Sequence, residues 1–135
     1  MTVTPDTSVV VAGLGSWDPD HIAARRLLAQ RPPLVAHVLV ESYAVLTRLP
    51  HPRRLAPELV LAALSAAFPD DPVQLEPTAL RPLLARLGAH AVAGGRTYDA
   101  LVPETARQHD LTLVTLDWRA KATYDVVGVE TAMLA

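Results

Sequence analysis

Four acidic residues of this sequence stand where an α/β protein can bring carboxylates together. Asp6 and Asp117 each follow a short apolar run that is typical of a buried strand. Glu41 and Asp99 each fall in the first turn of a predicted helix. In open α/β sheets, ligands bind outside the carboxyl ends of the strands. We therefore expect these four side chains to meet at one rim of a parallel sheet.

Carboxylates crowded at one rim repel one another, and a hard divalent cation is the usual remedy. Mg²⁺ and Mn²⁺ prefer oxygen ligands, and one or two such ions on a phosphodiester activate water and stabilise the leaving oxygen. Thr7, Ser8 and Thr115 lie beside the acids in sequence and are candidates to orient them or their waters. The residue types therefore indicate metal-assisted hydrolysis.

Three of the acids also have a purely structural interpretation. Asp6 is well placed to cap the helix that begins near Thr7. Asp99 could stabilise its own helix through the helix dipole, and Asp117 could cap the turn that follows it. Glu41 is harder to explain in this way because its neighbours are apolar, and a carboxylate among them is costly unless it is paired. The coincidence of all four positions favours a shared site.

Composition limits the other possibilities. The chain has 135 residues, half of them apolar, so one domain over 1–135 with a single sizeable core is expected. It has no Cys, which excludes disulfides, thiolate metal sites and a cysteine nucleophile. No signal peptide or membrane-spanning run is apparent, so we expect a cytoplasmic protein without membrane association. The net charge of −2 excludes little, because acids bound to cations would leave the basic groups in excess.

The elements that must position the acids alternate between strand and helix. This alternation predicts a mainly parallel sheet of four to five strands with helices on both faces, which is a three-layer α/β/α domain. The predicted strands cover 3–5, 34–37, 73–75, 111–115 and 126–130. The predicted helices begin near Thr7 and then cover 21–30, 38–49, 53–68, 77–87, 97–109 and 118–124.

The segments that carry the acids resemble a known family in their order and spacing. They are Val3-Thr4-Pro5-Asp6-Thr7-Ser8-Val9, Leu39-Val40-Glu41-Ser42-Tyr43-Ala44-Val45-Leu46-Thr47-Arg48-Leu49, Tyr98-Asp99-Ala100-Leu101-Val102 and Leu113-Val114-Thr115-Leu116-Asp117. The set resembles the PIN domain, and within it the VapC toxins of bacterial VapBC toxin–antitoxin pairs. The resemblance spans nearly the whole chain.

This resemblance implies an Mg²⁺- or Mn²⁺-dependent endoribonuclease toxin with Asp6, Glu41, Asp99 and Asp117 as catalytic metal ligands. It also implies an RNA substrate, a homodimer and inhibition by a VapB-like antitoxin. We expect the antitoxin to cover Trp17, Tyr43 and Leu46 and to direct an Arg or Lys toward the acids. Two prolines depart from the usual family pattern, Pro5 before the first acid and Pro103 in the helix after Asp99.

Five arginines are candidates for holding RNA phosphates, since phosphate contacts supply affinity without reading sequence. They are Arg48, Arg53, Arg54, Arg96 and Arg119. Trp17, Tyr43 and Trp118 are candidates to stack on bases of single-stranded RNA, although core packing is the favoured role for Tyr43. Two alternatives stay open beside the nuclease: a catalytically silent PIN-like module that binds RNA or a partner, and a receiver-like signalling domain. The second is disfavoured because Asp6 has no adjacent acid and Lys121 lies in the wrong segment.

Overall fold

A parallel three-stranded sheet forms the centre of the protein in the computed structural model, which describes residues Met1–Ala135. The strand order is β1-β2-β3, and both strand pairs are parallel. Pro5 is the last residue of β1 and lies opposite Val114 of β2. It needs no N–H partner there, as expected for a strand-end proline. The strands are β1 (Val3–Pro5), β2 (Thr112–Thr115) and β3 (Thr131–Met133).

Seven α-helices surround this sheet and supply most of the structure. They are α1 (Thr7–Leu14), α2 (His21–Leu28), α3 (Ala36–Arg48), α4 (Pro57–Ala67), α5 (Leu80–Ala89), α6 (Leu101–Gln108) and α7 (Lys121–Val127). Short 3₁₀ segments, Pro77–Ala79 and Gly94–Ala100, lead directly into α5 and α6. None of the helices combines the length and the apolar character needed to cross a bilayer.

Helices cover both faces of the central strand. All four residues of β2 are buried, and successive side chains of a strand point to opposite faces. Leu113 belongs to the main apolar cluster with Val38, Leu46 and Ala106, whereas its neighbour Val114 packs with Val9, Ala12 and Ala24. The expected α/β architecture with a parallel sheet is therefore confirmed.

The predicted number of strands is wrong: the sheet has three strands rather than four to five. Segments 34–37 and 73–75 make only an isolated parallel bridge between Val35 and Val73. The helix begins at Ala36, immediately after this bridge, so the first segment never extends into a strand.

The last predicted strand, 126–130, is also displaced. Helix α7 continues to Val127, and Gly128 ends it with a φ of 89°, a conformation that glycine adopts easily. Val127 is buried against Leu83, Leu87 and Ala100, and this packing outweighs the strand propensity of a β-branched residue. The strand therefore starts at Thr131.

The prolines inside predicted helices stand where helices tolerate them. Pro82 and Pro103 are each the third residue of an α-helix, α5 and α6 respectively. The first turn of a helix has backbone N–H groups without an intrahelical partner, so a residue that lacks the N–H costs little there. The prolines thus mark the point where a 3₁₀ segment becomes an α-helix.

Candidate active site

One cavity of about 510 Å³ contains all four predicted acids. It lies at the carboxyl ends of β1 and β2, as expected for a parallel sheet. The side chains that line it and bear on its chemistry are Asp6, Thr7, Ser8, His37, Glu41, Arg96, Tyr98, Asp99, Asp117, Arg119 and Tyr124. The structure therefore brings together the four acids and two of the three predicted hydroxyl residues.

Asp6 is the most tightly held of the four acids and is only 4% exposed. Its Oδ1 accepts hydrogen bonds from the Ser8 hydroxyl and, at 3.3 Å, from the backbone N–H of Val9. Its Oδ2 accepts a hydrogen bond of 2.9 Å from the Tyr124 hydroxyl. The bond from Val9 also makes Asp6 the N-cap of α1. The same conformation of Asp6 therefore caps α1 and places its carboxylate in the cavity.

Tyr124 remains a proton donor to this carboxylate. Burial, followed by the negative charge of Asp6, raises the pKa of Tyr124 above its ordinary value. Both causes disfavour a phenolate beside a carboxylate. The hydroxyl therefore stays protonated and fixes the position of Asp6 Oδ2.

Glu41 faces the cavity from α3 and is oriented by two neighbours. The Thr7 hydroxyl donates to Glu41 Oε1, and His37 Nε2 lies 3.6 Å from Glu41 Oε2. Since α3 begins at Ala36, Glu41 falls in its second turn rather than its first. Its side chain is 43% exposed, so Glu41 is not enclosed by apolar residues as its sequence context indicated.

A short network of polar groups links the ends of β1 and β2. The Ser8 hydroxyl accepts from the backbone N–H of Leu116 at 3.0 Å while donating to Asp6. The buried Thr115 hydroxyl accepts from the backbone N–H of Asp117 at 2.9 Å. Thr115 does not line the cavity itself. It acts on the site through the backbone of Asp117.

Asp99 and Asp117 complete the ring of acids from exposed positions. Asp99 is the penultimate residue of the 3₁₀ segment, just before α6, rather than part of a continuous helix. Partial burial, followed by repulsion from Glu41, raises the pKa of Asp99, and Asp117 contributes in the same direction. Asp117 Oδ1 accepts from the backbone N–H of Arg119 at 3.0 Å. Glu41 and Asp117 are therefore close enough to Asp99 to disfavour its charged form.

The predicted RNA-binding arginines separate into two groups. Arg96 and Arg119 line the cavity with the acids, and Arg96 partly offsets the repulsion at Asp99. Arg48, Arg53 and Arg54 are exposed and line none of the larger cavities near the acids. The Nε of Arg54 donates to the backbone carbonyl of Leu49, at the loop after α3. Only two of the five arginines therefore share the cavity.

Comparison with known proteins identifies the family. The PIN domain model matches residues 3–126 of the chain. Ribonuclease VapC40 of Mycobacterium tuberculosis, from strains CDC 1551 / Oshkosh and H37Rv, is 44% identical over 132 residues, which is 98% of both chains. This chain is a VapC-family PIN domain. Ribonuclease VapC27 of strain H37Rv is 38% identical over 131 residues, 96% of this chain and 95% of its own.

Two residues of this PIN domain were missed as site residues by the sequence analysis. His37 is the last residue of the predicted strand 34–37, yet on α3 it is four residues before Glu41 and so shares its face. A predicted start of α3 at Ala36 would have placed His37 beside Glu41. Tyr124 comes 118 residues after Asp6, and no local pattern links the two.

The donor set of the VapC-family site fits a hard divalent cation. All four acids offer carboxylate oxygens, and none forms an ion pair with Arg or Lys. No three acidic or histidine side chains are close enough to share one ion directly. A cavity of about 510 Å³ leaves room for water between ligand and ion, and Mg²⁺ usually retains several waters.

Proposed function

We propose that this VapC-family chain is a metal-dependent endoribonuclease that acts as the toxin of a VapBC-type pair. One observation supports the proposal above the others. Four carboxylates without an Arg or Lys ion-pair partner line one cavity, in a chain that is 44% identical to a protein named ribonuclease VapC40. The hydrolysis of an RNA phosphodiester would account for both the charge and the relationship.

In this proposal Asp6, Glu41, Asp99 and Asp117 hold Mg²⁺ or Mn²⁺. When bound, the ion would lower the pKa of water and stabilise the leaving oxygen of the phosphodiester. The chain's own residues prepare the ligands. Ser8 and Tyr124 hold Asp6 from its two oxygens, and Thr7 and His37 hold Glu41. Thr115 acts one step further away, through the N–H of Asp117.

Arg96 and Arg119 would draw the RNA phosphate into the cavity. An acidic site repels a polyanion until cations neutralise it, and guanidinium groups bind phosphate oxygens bidentately. Both arginines line the cavity beside the acids. We assign Arg48, Arg53 and Arg54 at most to a distant stretch of the RNA path.

The catalytically silent PIN module is the remaining alternative. A protein that only bound RNA would have no need for four carboxylates facing its ligand, since each repels phosphate. The names of the relatives also favour catalysis. A receiver-like domain finds no support in either the comparisons or the residues around Asp6.

Asp117→Asn is the sharpest test of this function. Asp117 suits this test because its side chain is exposed and only one of its carboxylate oxygens accepts a hydrogen bond. The amide would preserve that bond while weakening metal affinity. We expect loss of RNA cleavage by a factor on the order of 10² or more in Mg²⁺ or Mn²⁺, because metal catalysis supplies several kcal/mol.

The matched control is Asp70→Asn, an exposed aspartate in a loop with no hydrogen bond or ion pair and outside the cavity. It should cleave as the wild type does. Cleavage by Asp117→Asn at the wild-type rate, with both variants folded, would show that the site is wrongly assigned.

We further propose a VapB-like antitoxin as the partner. Carboxylates that lack an Arg or Lys partner attract a basic side chain, and an Arg of the antitoxin would pair with them bidentately. Trp17 and Tyr43 are half-buried and available for apolar contact, but Leu46 is fully buried in the core. Leu46 is thus removed from the expected contact surface. Val40, which is 68% exposed and precedes Glu41, is a better candidate.

The remaining proposals concern organisation. A single PIN domain over residues 1–135 agrees with a family match that covers 3–126. An RNA substrate and a VapB-like partner would place the protein in the cytoplasm, and we expect a homodimer of toxin subunits within the complex.

A further inference from the structure

Two exposed aromatic rings flank the acidic cavity in a chain that has few aromatic residues. The sequence holds two Trp, three Tyr and one Phe. Tyr98 is 66% exposed and Trp118 is 71% exposed, and each is the direct neighbour of a site acid, Asp99 or Asp117. Large aromatic groups left in water forgo the apolar burial that stabilises folding.

The rings line two adjoining cavities that meet at the site. Tyr98 lines the acidic cavity, and Trp118 lines a neighbouring one of about 470 Å³. Four residues belong to both cavities: Thr7, Ser8, Asp117 and Arg119. A chain of nucleotides that passed through both cavities would therefore meet one ring in each, with Asp117 in the part that they share.

Trp118 also carries a cation against its ring. The Arg119 guanidinium carbon lies 5.9 Å from the indole centroid, within the range of a cation–π contact. The same arginine lines both cavities. An aromatic face beside a guanidinium suits a nucleotide, whose base stacks while its phosphate pairs with the cation.

We propose that Tyr98 and Trp118 are stacking platforms for the two bases that flank the scissile phosphate. This rests on the proposed ribonuclease function and deepens it by naming the side chains that would hold the bases of the RNA. Bases within a duplex are stacked on each other and are not free to lie on a side chain. Stacking is tolerant of base identity because every base has a π-face. The rings would therefore select for single strands more than for sequence.

The test measures binding in EDTA, so that no cleavage occurs, with one single-stranded RNA decamer and the same decamer annealed to its complement. Trp118→Ala and Tyr98→Ala should each weaken single-strand binding about tenfold, the loss typical of one stacked base. Trp118→Phe should restore most of the affinity, and duplex binding should be unchanged. Leu59→Ala is the control, since Leu59 is 63% exposed on α4 and lines neither cavity.

A fluorescence readout ties the effect to the ring itself. In a Trp17→Phe background Trp118 is the only tryptophan, and single-stranded RNA should quench its emission whereas duplex RNA should not. Wild-type affinity in both Ala variants would overturn the proposal. An equal loss of affinity for single-stranded and duplex RNA would also overturn it, because it would indicate a general surface effect or a surface that contacts a protein partner.

Cleavage assays in Mg²⁺ separate this proposal from the one on which it rests. If the wild type cleaves RNA and Asp117→Asn does not, but the Ala variants bind normally, only the stacking platforms are wrong. If the Ala variants lose single-strand affinity while the wild type cleaves nothing, the rings bind the bases of unpaired RNA but the nuclease assignment fails.

Discussion

At the scale of single residues, the four acids differ in how firmly they are held. Asp6 has hydrogen bonds on both oxygens and sits at the start of a helix. Asp99 has no such partners, and burial together with Glu41 raises its pKa. A group of the first kind is positioned by the fold, whereas a group of the second kind opposes folding in its charged form. The charged form of Asp99 is therefore disfavoured in the folded protein.

Asp99→Asn should stabilise the protein without divalent metal. Because the folded-state pKa of Asp99 is raised, its charged form costs stability at neutral pH, and this cost disappears as the pH falls through the raised pKa toward the unfolded value of 3.8. The advantage of Asp99→Asn over wild type should therefore be present at pH 7 and shrink toward pH 4. Chemical unfolding of both proteins in EDTA across this range measures it.

Added Mg²⁺ or Mn²⁺ provides the complementary measurement. Saturating metal should raise the unfolding midpoint of the wild type more than that of Asp99→Asn, because ligands that bind only the folded state stabilise it. A pH-independent difference between the two proteins in EDTA would show that charge repulsion at Asp99 does not limit stability.

At the scale of elements, a buried ion cluster joins α5 to α6. Glu104 is 1% exposed and accepts hydrogen bonds from Arg86 of α5 and from Arg107 of α6. Nearby, Leu83 and Leu87 of α5 pack with Ala100, which directly follows Asp99. The position of α5 therefore bears on the segment that delivers Asp99 to the cavity.

Arg86→Met should destabilise the fold by about 2 kcal/mol, since hydrogen bonds to charged groups contribute roughly 1.5–3 kcal/mol. The buried Glu104 would keep only Arg107 as a partner, and removing one member of a buried ion pair is costly. Arg81→Met is the matched control, because Arg81 is exposed on the same helix and forms no ion pair. Denaturant unfolding of the three proteins measures the difference, and equal midpoints would refute it.

At the scale of the whole molecule, the acidic cavity is the point where metal, RNA and antitoxin would meet. Its four carboxylates have no Arg or Lys of the same chain as partner. A partner's arginine and a divalent ion would therefore compete for the same oxygens. Such competition would make inhibition of the toxin depend on the metal concentration.

Inhibition by a VapB-like antitoxin should weaken as Mg²⁺ rises from micromolar to millimolar. Ionic strength is kept constant with NaCl, because salt alone screens the attraction between charges. The half-inhibitory antitoxin concentration is read from RNA cleavage at each Mg²⁺ level. A value that stays constant would count against occupation of the metal site and would favour steric closure of the RNA path.

The sequence by itself determined the class of fold and the common location of the four acids. Local patterns predict the acids at the strand ends, the parallel βα alternation and the placement of Pro5. They can do so because short runs of residues indicate a buried strand and the helix that follows it. Those patterns predicted that Asp6, Glu41, Asp99 and Asp117 would lie together, and they line one cavity in the structure.

Only the tertiary structure decided the rest, because it depends on contacts between distant segments. The bond from Tyr124 to Asp6 crosses 118 positions, and His37 joined the site only because α3 starts at Ala36. Two predicted strands became a single bridge between Val35 and Val73, and packing of Val127 turned part of another into helix. Local propensity is too weak to fix such outcomes, since burial against partners far along the chain outweighs it.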